Sequence, residues 1–261
     1  VKPTSYFERI SARELQPTPA TSGAWNPDEV HIAPFIGLLL HEVERDAAAR
    51  RGEDALTVTR VAYDIFGAFP LDPLRVDTRV VRPGRTIELV EATLSQGERT
   101  VLAARAWLQR AGDTASIAGD HDARIAGPDT MPVASQDEWS GGFVRSIEVR
   151  RGEWQPGRGV FWAQSDLDLV AGEGASDLAR AARLFDLANG MVPRAAPDEV
   201  LFPNIDLTLH VFRRPRRGWV GFDTSVAFGP DGHGLTSAVL HDDGGSFGRV
   251  SQTLTVRPRR A

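Results

Sequence analysis

Apolar and polar residues alternate with a period of two through most of this chain, and follow a helical period in only two stretches. "SYFERI" opens the series near residue 5; "ALTVTRVAYDIF", "PLRVDTRVVRP", "TIELVEATL" and "RTVLAARAWLQR" follow between residues 55 and 110. Each predicts a half-buried strand, because successive side chains on a strand point to opposite faces. Ahead of those four lies "APFIGLLLHEVERDAAAR", residues 33–50, where Phe35, Leu38, Leu39 and Val43 recur at helical spacing and Pro34 suits a first turn. Residues 111–142 are polar, Gly-rich and aperiodic, and read as a linker.

Beyond the linker the same grammar returns. "FVRSIEVRRGEW" and "GVFWAQSDLDLV" predict strands, and "ASDLARAARLFDLANGM" predicts a helix over 176–189, closed by Asn189-Gly190. Four more strands follow in "IDLTLHVFRRP", "GWVGFDTSVAF", "HGLTSAVLHD" and "SFGRVSQTLTVRP". "LTVTRV" from Leu56 lies on "LTLHVF" from Leu207, and "RAWLQR" lies on "SQTLTVR". This reads as an internal duplication in an α+β chain, each copy being one long helix and a twisted antiparallel sheet. The copies span 1–115 and 143–261, with 116–142 between them.

Composition narrows the classes. With 261 residues there is ample core for one large or two small domains. A net charge of −5 argues against a nucleic-acid binder. Zero cysteines leave no disulfide, thiolate metal site or cysteine nucleophile. No apolar run reaches the 18 residues of a membrane span, and nothing resembles a signal peptide, so a cytoplasmic location is expected.

A helix followed by a meander of long strands, given twice, resembles the double hotdog fold. "LVAGEGASDLARAARLFDLANGM", "NIDLTLHVFRRPRRGWVGFD" and "GPDGHGLTSAVLHDDGGSFGRVSQTLTV" carry a closer resemblance to the TesB-type acyl-CoA thioesterase family. It implies two tandem hotdogs and a thioester substrate carried by coenzyme A or an acyl carrier. It implies no metal and no cofactor beyond the coenzyme A of the substrate, and association into a homo-oligomer.

Two polar residues stand out before any role is given to them. Asp206 sits at the mouth of a strand, a position where Asp is either a solvated cap or a placed group. Gln252 shares a strand face with Leu254 and Val256, so its amide points where it must find partners. Their counterparts in the first half are about Ala55 and Ala106, so the fold itself does not need either polar group. The resemblance makes Asp206 the residue that activates a water and Gln252 the one that holds it. Thr224, on the face of Phe222, Val226 and Phe228, stands in for the family's hydroxyl, which falls nearer Val226. His31, Asn189 and Gly190 are expected against the substrate, with Ile32-Ala33 where relatives carry a Gly-Gly pair.

Other motifs carry less. "RRPRR", 213–217, could meet the phosphates of coenzyme A or be simply solvated. "GGSFG", 244–248, fits G-x-S-x-G but lies between two strand runs and reads as a hairpin turn. "HEVER" lacks the second His of a zinc-protease helix. "WNPDEVH", 25–31, keeps a hotdog hydratase or dehydratase using His31 open, and a non-catalytic acyl-thioester binder stays open beside it.

Overall fold

Strand alternation becomes a single sheet that curls around its helices. The computed structural model describes residues 2–135 and 139–259. In the first half, β1 (Ser5–Arg9) and β2 (Glu14–Pro17) precede α1 (Ile32–Arg51), and β3 (Thr57–Ile65), β4 (Leu74–Arg82), β5 (Ile87–Gln96) and β6 (Arg99–Gln109) follow. In the second half, a one-turn α2 (Gly142–Arg145), β7 (Glu148–Gln155), β8 (Arg158–Gln164) and β9 (Asp168–Val170) precede α3 (Asp177–Ala182). A 3-10 turn, Phe185–Asn189, continues α3, and then come β10 (Val200–Leu201), β11 (Asp206–Val211), β12 (Val220–Phe228), β13 (His233–Asp242), β14 (Gly245–Thr255) and β15 (Arg257–Pro258).

Thirteen strands form one sheet in the order β7-β8-β12-β13-β14-β11-β3-β6-β5-β4-β2-β1-β9, and β10 pairs with β15 in a separate ribbon. The two halves meet at β11 and β3, the strands of the "LTLHVF" and "LTVTRV" correspondence, which run antiparallel with Asp206 opposite Asp64 and His210 opposite Arg60. Among the described residues, only β1 and β9 pair in parallel. The alternation read from the sequence is the burial pattern itself: on β5, Glu88, Val90, Ala92 and Leu94 are buried while the residues between them are not. Those inward faces, α1 and the α3 segment build one continuous core.

Three local expectations change. The strand expected to begin at Phe143 starts at Glu148, because Phe143 and Val144 turn into α2 and are buried there. "GVFWAQSDLDLV" is cut into β8 and β9, which lie at opposite ends of the strand order. The helix expected over 176–189 stays α-helical only to Ala182. From Arg183 to Ala188 every residue is buried, and Phe185–Asn189 tighten into a 3-10 turn. Gly190 ends the segment at φ −87°, an ordinary right-handed conformation rather than the left-handed cap the Asn-Gly pair suggests.

The helices touch through a glycine. A Cβ on Gly37 would lie 2.8 Å from the Ala179 carbonyl oxygen and 2.9 Å from Arg183 Cβ. Gly37→Ala should therefore force α1 and α3 apart and cost about 1–3 kcal/mol, the range for overpacking a filled core. Thermal unfolding checks this, and an unchanged or raised Tm would show that the crossing has slack.

Candidate active site

A cavity of about 600 Å³ lies where the start of α1 faces the 3-10 turn after α3. Its wall includes Trp25, His31, Phe69, Trp139, Asp186 and Asn204. The volume suits a small-molecule site. Trp139 lies between β6 and α2, and its ring meets Trp25 edge-on with centroids 4.9 Å apart.

Asp186 sits between Phe185 and Leu187 in the 3-10 turn, with only 6% of its surface exposed. Asn204 Nδ2 and Gln252 Nε2 both donate to its Oδ1, each at 2.8 Å. Asn204 is held for this by a second bond from Nδ2 to the Asp206 carbonyl oxygen, at 3.1 Å. Gln252 reaches Asp186 from the inward face of β14. Oδ2 accepts no hydrogen bond among the described residues; His31 Nδ1 stands 3.7 Å from it, beyond hydrogen-bond reach. One carboxylate oxygen is thus saturated and the other is open.

Burial pushes the Asp186 carboxyl up to about 7, against the pull of the Asn204 and Gln252 amides, which favour the charged form. A carboxylate that ionises near neutrality is suited to general-base work. His31 behaves in the opposite way. Burial lowers it to about 3, so the ring is neutral over the ordinary pH range and its proximity to Asp186 is not an ion pair. His31 Nδ1 accepts from the Ala33 N–H at 3.2 Å and caps α1, which leaves the ring proton on Nε2. Pro34 has no N–H to offer, and the Ile32 N–H has no acceptor among the described residues. The helix start therefore presents an unspent donor beside the carboxylate.

Asp206 does not meet Gln252. Thr208 stands opposite Ser251, so Asp206 stands opposite Thr253, on the face away from Gln252. Its Oδ1 accepts from the Thr253 N–H at 2.5 Å, which makes it a strand-end brace outside the cavity wall. The partner of Gln252 is Asp186, a residue the sequence reading passed over. Thr224 does face inward with Gln252, but it lies two strands away on β12 and touches neither Asp186 nor the cavity. Thr224 Oγ1, Thr236 Oγ1 and Gln252 Oε1 are all buried without a partner in the described residues. His31, Asn189 and Gly190 all line the cavity. "RRPRR" does not: Arg213 pairs with Asp242, and Arg216 with Asp243, away from this wall. "GGSFG" begins in the β13–β14 hairpin turn, as read.

Metal-ligand types gather once among the described residues, at His41, Glu42 and Glu173. Arg9 bonds both glutamates and Arg45 bonds Glu42, so guanidinium groups already take those carboxylate oxygens. That cluster lies outside the cavity wall.

Comparison with known proteins decides the family. An acyl-CoA thioesterase N-terminal domain model matches residues 21–109, and an acyl-CoA thioesterase C-terminal domain model matches residues 126–256. The chain belongs to the acyl-CoA thioesterase family. Among curated proteins none matches it. Solved structures do match. A hot dog fold protein of unknown function from Alicyclobacillus acidocaldarius is 13% identical at TM-score 0.75, covering 97% of this chain and 96% of that one. An acyl-CoA thioesterase II from Mycobacterium marinum is 15% identical at TM-score 0.67, covering 98% and 96%. The tesB protein of Mycobacterium avium subspecies paratuberculosis is 15% identical at TM-score 0.68, covering 98% and 97%. These likenesses give the fold, a hotdog, and family membership places this thioesterase among thioester hydrolases. No described helix is long and apolar enough to cross a membrane.

Proposed function

We propose that this thioesterase hydrolyses an acyl thioester with a water activated by Asp186. The observation that carries the reading is the asymmetry of that carboxylate: Oδ1 is held by Asn204 and Gln252, and Oδ2 is free beside the cavity. Oδ2 takes a proton from a water as the water oxygen attacks the thioester carbonyl carbon. The tetrahedral oxyanion is met at the start of α1 by the Ile32 N–H, with the His31 Nε2–H as second donor and the helix dipole behind both. On collapse the C–S bond breaks, and the proton held by Asp186 passes to the departing thiolate. The reaction consumes only thioester and water and calls for no metal or redox cofactor.

Coenzyme A or an acyl carrier would hold the acyl group, with the thioester near Asp186 and the larger leaving portion passing out by Trp25 and Trp139. In this reading residues 1–115 and 143–261 are two hotdog repeats joined by 116–142, and the protein associates further into a homo-oligomer. A hydratase would need His31 as acid or base, and a ring that protonates only near pH 3 and spends Nδ1 on capping α1 supports that less well. Incubation with saturated and enoyl-CoAs of graded length tests the proposal. Release of free thiol upholds it; loss of the enoyl double bond without thiol points to hydration, and binding without either product points to a carrier.

A further inference from the structure

Arg183 is a buried cation with no direct ion pair among the described residues. Only 5% of it is exposed, yet its guanidinium reaches no carboxylate: it donates to the carbonyl oxygens of Ser165, at 2.7 Å, and Leu167, and its Nε has no partner. The face of the Tyr6 ring lies 5.6 Å away, and the carboxylates of Asp168 and Asp166 favour the guanidinium charge from beyond ion-pair reach. Burying an unpaired charge is costly unless something neutralises it.

The surroundings supply a pocket. Arg183, Arg180 from α3, and Arg216 and Arg217 from "RRPRR" share the wall of a cavity of about 140 Å³ beside residues 164–166, with Asp166 and Asp177 also in the wall. Arg180 has Asp168 at 3.6 Å, and Arg216 has Asp243 at 3.3 Å. Arg183 and Arg217 have no ion-pair partner among the described residues, and Asp166 and Asp177 are exposed to water. The cavity shares no wall residue with the one beside Asp186, so it is not the outer end of that site. The cavity has room for several waters, and so for a tetrahedral oxyanion. Guanidinium forks match such an oxyanion through paired N–H donors.

We propose that this pocket binds a phosphate group, as inorganic phosphate or as the terminal phosphomonoester of a larger molecule. Calorimetric titration of the full chain, at ionic strength held constant with chloride, tests it with two probes: inorganic phosphate and adenosine 3′,5′-bisphosphate. Saturable binding of either is expected, and preference between them tells a free anion from a nucleotide's phosphate. Arg217→Glu should weaken that binding at least tenfold. Arg217 is exposed and bonds to nothing described, so the substitution spares the fold, which an unchanged Tm in chloride verifies. No saturable binding of either probe, or an unchanged Kd in Arg217→Glu, would overturn the proposal. Neither outcome bears on hydrolysis at Asp186.

Discussion

Asp186→Asn should remove nearly all thioester hydrolysis, with kcat falling by about a hundred- to ten-thousandfold, the span of a lost general base. Asn keeps the shape: its oxygen can still face the Asn204 and Gln252 amides while its NH₂ takes the place of Oδ2. KM should therefore change little. The wild-type rate should rise with pH through about 7 and level off above it, because only the ionised carboxylate accepts a proton. Stability should move the other way. The folded-state value lies far above the ordinary carboxyl value of 3.8, so the folded protein holds this proton more tightly than the unfolded chain. That contribution is complete below pH 4 and is lost as pH rises to about 7. Asp186→Asn escapes the loss, so its Tm relative to wild type should rise between about pH 4 and pH 7 and level off above, by about 2–4 °C for each kcal/mol in a chain of this size. Asp206→Asn is the control. It should keep hydrolysis within a fewfold of wild type, and a collapse of activity there would return the base to the strand end.

The second large effect concerns the amides. Gln252→Ala and Asn204→Ala each strip one donor from Asp186 Oδ1. Both amides favour the ionised form, so removing either should raise the carboxyl further above 7 and carry the rising limb of the pH–rate profile to higher pH. At pH 7 hydrolysis should drop by roughly ten- to a thousandfold, part of it recovered by raising the pH. Asn204→Ala should move the limb further, since its bond is the stronger of the two opposing influences. Rates measured from pH 6 to 9.5 decide this. A uniform loss with an unmoved limb would mean the amides act on the water or the fold and leave the base untouched.

The strands were legible because a two-residue period survives in the burial of nearly every long strand, β5 and β14 among them. Gln252 was legible for the same reason, as an amide on an apolar face. Asp186 was not, because "LARAARLFDLANG" reads as an amphipathic helix in which one Asp is ordinary polar dressing. Only the 3-10 turn, buried on all sides from Phe185 to Ala188, turns that Asp into a cost needing an explanation. A carboxylate directly between Phe and Leu was the available signal. Asp206 was ambiguous in sequence because a strand-start Asp has the same local pattern whether it braces a neighbouring N–H or works on substrate; in the structure it holds the Thr253 N–H across the sheet. Trp139 could not be found by periodicity at all, since the linker has none.

Strands β8 and β9 are separated by only residues 165–167, yet one lies near the first end of the thirteen-strand order and the other at its last. The wrap is therefore buckled like a belt, with three residues as the clasp and the Arg183 guanidinium fastened to two of their carbonyl groups. A buckled belt has a set girth. The space beside Asp186 cannot widen by letting the strands splay, so the room it offers is set by the side chains of its own wall. In the proposed reaction, selectivity for acyl size then rests on those side chains, while the girth holds Asp186, Asn204 and Gln252 in register.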